Sequence, residues 1–190
     1  VSLFGYRLFV NLGTSEYGNS ARRHFERSTA AHSTLELNRE SSSEIWHGFR
    51  VGRRAIVSNV NIKSDVSRCE VIAQHNGYRY LSGRPVHTRR VIFCKDELQI
   101  IDEINQNNYL GIVRFHIHPN IKLFISNNGF SGFLIFPDGS EAVWESNADL
   151  LFEEDNEYAW EFGKKIPMKT LVLHIKKSNN STFKVKWLCR

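Results

Sequence analysis

Apolar and polar positions alternate in short runs along most of the chain, and turn residues separate the runs. Residues 68–74, 87–94, 98–104, 110–118, 130–136, 140–144, 169–176 and 182–188 have the length and makeup of strands. Earlier, residues 2–4 and 7–11 read as a hairpin about Gly5-Tyr6, and 34–37, 45–51 and 55–62 as further strands. Pro119 ends the run at 110–118, since proline cannot donate to a ladder. Asn127-Asn128-Gly129 and Pro137-Asp138-Gly139 are turn chemistry flanking 130–136. No sustained 3.6-residue period occurs, and residues 149–160, acidic and aromatic, read as irregular. The pattern predicts an all-β fold, a two-layer antiparallel β-sandwich of about a dozen strands forming a single domain over 1–190.

The exception is residues 11–37, a polar, Gly-punctuated and Arg-rich connection running from one strand-like run to the next. Within it, 20–27 has room for one or two helical turns. Long connections on rigid scaffolds are where sites tend to sit.

A net charge of +5 favours acidic partners such as anionic polysaccharide. The Lys and Arg are dispersed and no nucleic-acid-binding signature accompanies them, so nucleic acid is not expected as a partner. No apolar run reaches the ~18 residues of a helical membrane span. The chain opens at Val1 on strand-like sequence without a leader, as a piece of a longer protein would. Cys69, Cys94 and Cys189 allow at most one internal disulfide and lack zinc-type spacing.

Several side chains are candidates for chemistry. His32 has small neighbours on both sides and ends the Arg-rich connection. His116 and His118, at strand spacing, either share a metal or form a polar face beside Arg114; no carboxylate follows in 120–125 to complete a metal site. His75 and His87 flank Gly77-Tyr78 and precede Arg89-Arg90, as loop polarity or as ligand contacts. Asp102 and Glu103 are adjacent, so they cannot act as an acid and base across one bond. The acids between Asp149 and Glu157 lack the spaced loop of a calcium site and read as a solvated loop. Signatures of serine hydrolases, P-loops and metalloproteases are missing from the sequence.

The segment GTSEYGNSARRHFERSTAAHST resembles the opening of the β-sandwich in heparinase II/III-like polysaccharide lyases, D-x-G-T-x-x-Y followed by R-x-x-F-R-S-T-x-A-H-N-T. The matching positions are Gly13, Thr14, Tyr17, Arg23, Phe25, Ser28, Thr29, Ala31, His32 and Thr34. IWHGFRVGRRA, HNGYRYLSGRPVHTRRVIF, RFHIHP and EFGKKIP resemble later features of that family, in order.

The resemblance implies a C-terminal β-sandwich whose parent also has an upstream α/α toroid and cleaves acidic, uronate-containing polysaccharide by β-elimination. It implies a periplasmic or cell-envelope location and no membrane span. Tyr17 and His32 correspond to residues near the reaction, so they are the catalytic candidates. Arg22, Arg23 and Asn11 are the substrate-binding candidates, because a guanidinium matches a carboxylate bidentately. Some members hold a divalent metal, often zinc, through a histidine of an H-x-H or H-x-D strand that would lie before Val1, a histidine here matched by His32, and an aspartate here replaced by Asn11, a poor zinc ligand. The alternative is a non-catalytic module that binds carbohydrate or packs on its neighbour.

Overall fold

In the computed structural model, which describes residues 1–106, 108–176 and 178–188, the period-2 runs pair into two large antiparallel sheets, and residues 2–7 form a separate two-stranded hairpin. The chain begins with three short strands, β1 (Ser2–Leu3), β2 (Tyr6–Arg7) and β3 (Phe9–Val10). Helix α1 (Ala21–Arg27), a 3-10 turn (Thr29–Ala31) and β4 (Leu35–Leu37) follow. A run of hairpins comes next, with β5 (Val57–Ser64), β6 (Arg68–His75), β7 (His87–Cys94), β8 (Glu97–Ile104) and β9 (Gly111–Ile117). The remainder is β10 (Lys122–Ile125), β11 (Ser131–Ile135), β12 (Glu141–Ser146), β13 (Leu150–Glu161), β14 (Lys164–Ile175) and β15 (Asn180–Trp187).

The larger sheet runs β10-β11-β12-β15-β8-β7-β6-β5, and the smaller runs β13-β14-β9-β3, with β4 also on β9. Alternation decides which side faces in. Leu98, Ile100, Asp102 and Ile104 of β8 are buried, as are Ser181, Phe183, Val185 and Trp187 of β15. Between the layers Phe115 stacks on Phe183 (4.4 Å between ring centres), which also meets Trp144 and Phe9. Each such ring contributes about 1.5–3 kcal/mol by leaving water. The all-β sandwich read from the alternation is the fold observed.

β3 and β4 lie one after the other along the same edge of β9. Val10 is opposite His116, and Leu35 is opposite Val113. Residues 11–34 therefore leave the sheet and return to it within one strand's length. The gap is filled by Thr34, whose carbonyl accepts from Arg114 N–H (3.1 Å), and by the Ser33 hydroxyl, which accepts from His116 N–H (3.0 Å).

Three local expectations are corrected. The acidic stretch 149–160 is not irregular: it forms β13, paired with β14 from Leu150↔His174 to Glu161↔Lys164. Lys169 bridges Glu153 and Asp155 (2.9 Å each) and Lys165 reaches Glu157 (2.9 Å), so cross-strand charge pairs line the solvent-facing side of the strand. β14 accordingly starts at Lys164 and contains Pro167, which lies beyond Thr170, the last residue paired with β9. Residues 45–51 hold only an Ile45↔Val51 bridge, because His47 and Gly48 have positive φ and turn the chain back. The sequence also missed β10, a four-residue strand. Cys69 and Cys94 are free thiols on neighbouring strands, and Cys189 lies outside the described residues. No helix among the described residues is long and apolar enough to cross a membrane.

Candidate functional site

The connection 11–34 is organised by Glu26. Ser20 caps α1, its hydroxyl accepting from Arg23 N–H (3.0 Å), and the Ser28 hydroxyl closes the helix by donating to Phe25 O (2.8 Å). That helix points Glu26 inward, only 4 % exposed. Its carboxylate accepts from Ser15 N–H (3.0 Å), the Ser15 hydroxyl, and Arg22 Nε (2.9 Å), with Arg23 Nη1 3.8 Å away. Burial by itself raises the carboxyl's pKa, but these donors outweigh it and hold the group below the usual range. Arg22 continues to the Glu157 side chain (3.1 Å) and carbonyl (3.3 Å), so the helix is fastened to β13.

Gly13 makes the close approach on the same side. At φ +83° it bridges Ala159, and an added Cβ would lie 2.1 Å from the Ala159 carbonyl oxygen. Arg23 donates to the Thr14 hydroxyl (3.1 Å) and sits 5.7 Å from the Tyr17 ring centre. Tyr17 itself is 61 % exposed and stacks on Phe162.

The structure brings Tyr17 against Arg23, which shares Glu26 with Arg22. Arg22, expected to meet a substrate carboxylate, bonds the protein carboxylates Glu26 and Glu157, whereas Arg23 only approaches Glu26 (3.8 Å) and its buried Nε has no hydrogen-bond partner among the described residues. Asn11 is exposed and lines a shallow hollow with Val1, Ser33, Arg89 and Phe115. His32 is half-buried, and desolvation lowers its pKa, which keeps the imidazole neutral at neutral pH.

The residues present do not fit zinc. Asn11 offers a neutral amide, and the nearby His116 is fully engaged. Its Nε2–H donates to Ala30 O (3.1 Å), and its Nδ1 accepts from the Thr170 hydroxyl (2.9 Å). Burial holds its pKa at about 4. His118 faces elsewhere, its ring 5.5 Å from Tyr158 and its Nδ1 accepting from Asn120 N–H (3.3 Å). Among the described residues no three His, Cys, Asp or Glu side chains are placed to hold a metal ion.

A second polar group lies inside the larger sheet. Gly77 N–H donates to His75 Nδ1 (3.2 Å), so His75 Nε2–H donates to His87 Nδ1 (2.9 Å). His87 Nε2–H then donates to Asp102 Oδ1 (2.6 Å). Arg89 grips both oxygens of Asp102 at 2.8 Å and donates onward to Ser33 O, next to His32. Burial, with the Arg89 guanidinium nearby in support, pushes His75 down to about 4. Asp102, which burial alone would raise, is held far below its usual value by Arg89 and His87. The sequence left His75 and His87 as loop polarity or ligand contacts and gave Asp102 no role. What joins them is register, His75↔His87 and Arg89↔Asp102, which periodicity alone does not set.

On the outer surface a polar groove lies between His24 of α1, Glu40, Glu44, Arg53 and Tyr80, with Arg53 stacked 3.7 Å from the Tyr80 ring centre.

The sequence profile described as "Heparinase II/III-like, C-terminal" matches residues 1–188. No curated protein matches by sequence. Among solved structures, the chain is similar to the heparan sulfate lyase HepC from Pedobacter heparinus, with TM-score 0.76 and 19 % identity over 96 % of this chain. It is also similar to the heparinase III product of BT4657 (TM-score 0.76, 15 % identity, 97 % of this chain) and to another heparinase III (TM-score 0.74, 13 % identity, 97 %). It spans 28 % of the length of each of these proteins.

Proposed function

This chain belongs to the heparinase II/III-like family as its C-terminal domain, and on that basis we propose that it is the sandwich part of a polysaccharide lyase. The lyase cleaves uronate-containing acidic polysaccharide by β-elimination, and this domain contributes one wall of the cleft. The profile match over residues 1–188 carries the reading.

β-Elimination requires the uronate carboxylate to be neutralised, the C5 proton removed and the leaving oxygen protonated. Tyr17 offers an exposed phenol. His32 offers a neutral imidazole able to take a proton, because burial keeps it uncharged. Arg22 and Arg23 position Tyr17 through Glu26 and Thr14. A helical toroid upstream supplies the remaining acid and base, and the protein works in the periplasm or cell envelope, where such polymers are met.

The test compares the longer protein with this chain alone on heparan sulfate and alginate, following the ultraviolet absorbance of the unsaturated product. The longer protein is expected to turn over and the isolated chain to be silent. A longer protein inactive on every uronate polymer overturns the reading. Asn11, in the place of the family's aspartate, favours the second reading, a non-catalytic carbohydrate-binding or structural module.

A further inference from the structure

Five large aromatic side chains stand in solvent around the end of the molecule that carries Tyr17. Phe49 is 72 % exposed, Tyr17 61 % and Phe162 56 %, with Trp46 and Trp160 about half exposed. They come from three separate segments: the connection before α1, the 45–51 turn, and the β13–β14 turn. Tyr17 is the middle ring, 4.8 Å from Phe162 at 30° and 5.7 Å from Phe49 at 48°. An exposed aromatic cluster of this kind marks a binding surface.

The three segments are tied to one another before any ligand arrives. Gly163 N–H donates to Ser15 O (2.9 Å), fixing the β13–β14 turn to the Tyr17 segment. Arg27 donates to the carbonyls of Gly48 and Arg50 (3.0 Å to the latter), fixing the 45–51 turn to α1. Glu26, through Ser15 and Arg22, fixes both to the body of the sandwich. A surface held this way loses little further freedom on binding.

Three cations stand at its rim. Arg50 lies 5.2 Å from the Trp46 ring, Lys164 5.0 Å from Trp160, and Arg23 5.7 Å from Tyr17. Glu161 pairs with Lys164 (2.7 Å) and Glu26 lies beneath Arg23 (3.8 Å), while Arg50 forms no ion pair among the described residues. Aromatic faces ringed by cations complement a ligand with apolar ring faces and anionic substituents. A pyranose carrying carboxylate or sulfate is such a ligand: its C–H faces stack on the rings and its charges meet the guanidinium and ammonium groups.

From this we infer that Tyr17, Phe49 and Phe162, with Arg50 at their edge, form a stacking subsite for one or two sugar units of an anionic polysaccharide. The inference rests on the reading of the domain as a polysaccharide lyase wall and names the part of that wall that grips the polymer. Phe49, Phe162 and Arg50 act in binding alone.

The experiment titrates the 190-residue chain with a size-defined heparan sulfate hexasaccharide, read by calorimetry and tryptophan fluorescence, with an uncharged glucan hexasaccharide as control. Phe49→Ala, Phe162→Ala and Arg50→Ala are compared with the unmodified chain, and thermal unfolding checks that each stays folded. Binding is expected for the anionic oligosaccharide only, weakened about tenfold by each Phe substitution. Arg50→Ala should also flatten the salt dependence of binding. Unchanged affinity in the folded Phe variants overturns the subsite, as does failure of the unmodified chain to bind. If Phe49→Ala instead disrupts only self-association, or only association with the helical portion of the longer protein, the surface is a protein interface and the inference fails. Loss of this binding leaves the lyase reading standing, because that reading is judged by product formation in the longer protein.

Discussion

Asp102 and Glu26 are both buried carboxylates gripped by arginine, yet the fold produces them by different routes. Asp102 sits in the ladder of the larger sheet, where its partners Arg89 and His87 arrive on the adjacent strand because register places them there. Glu26 sits on a seven-residue helix outside both sheets, and Ser15, Arg22 and Arg23 come to it from the surrounding connection. The first carboxylate is part of the frame. The second fastens the connection together, and the placement of Arg22 and Arg23 depends on it. A framework acid and a fastening acid should therefore fail in different ways.

The largest effect is expected at Asp102. Asp102→Ala leaves the Arg89 guanidinium without its partner inside the sheet, which should cost about 3–5 kcal/mol in urea unfolding. Hydrogen exchange should quicken across β6, β7 and β8 together. A loss confined to residues 11–34 would erase the distinction drawn here.

Next comes pH. Folded His75 stays neutral down to about pH 4, whereas an ordinary histidine in the unfolded chain protonates near 6.5. The unfolded chain therefore takes up the proton first as pH falls. The contribution is complete above pH 6.5, shrinks across that interval and stops shrinking below about 4, by about 3 kcal/mol in all. His116 should add a parallel loss over the same range. His75→Gln should flatten the profile of unfolding free energy against pH; a profile identical to that of the unmodified chain would remove His75 from the account.

Glu26→Gln is expected to cost less, about 2 kcal/mol, because Arg22 keeps Glu157 as a partner. Its signature is local: faster exchange in residues 11–34 and a changed near-ultraviolet dichroism from Tyr17 and Phe162. Global loosening comparable with Asp102→Ala would show that the connection belongs to the frame after all. Arg27→Ala, which frees only the 45–51 turn, should cost about 1 kcal/mol or less, with thermal unfolding as the measurement.

What the sequence disclosed follows the same division. Strands such as β7, bounded by turn residues and dominated by alternation, were legible because the period needs no knowledge of a partner. The pairing of His75 with His87 was hidden, since it requires knowing which strands neighbour each other and in what register. β13 was misread because its acids suggested a solvated loop, while the lysines that pair with them lie on the next strand, eight to sixteen residues later. Tyr17 and Arg23 were picked out by the family resemblance, and Arg22 by its charge beside Arg23. Glu26 was not, because a carboxylate among arginines in ARRHFER reads as an ordinary surface pair until the helix is seen to turn it inward. The exposure of Phe49 and Phe162 depends on tertiary placement and leaves no trace in the local pattern.

β5, the outermost strand of the larger sheet, carries a last consequence. It is exposed along its whole length, and Val60 and Ile62 offer an apolar surface to any chain arriving edge-on. Asn59, with a left-handed backbone (φ +52°), shifts the ladder between Ser58 and Asn61, and Lys63 sits near the far end. A newcomer would find in-register hydrogen-bonding groups on only part of the strand, and a charge beyond them. The irregular ladder and the charge thus work against edge-to-edge pairing along β5.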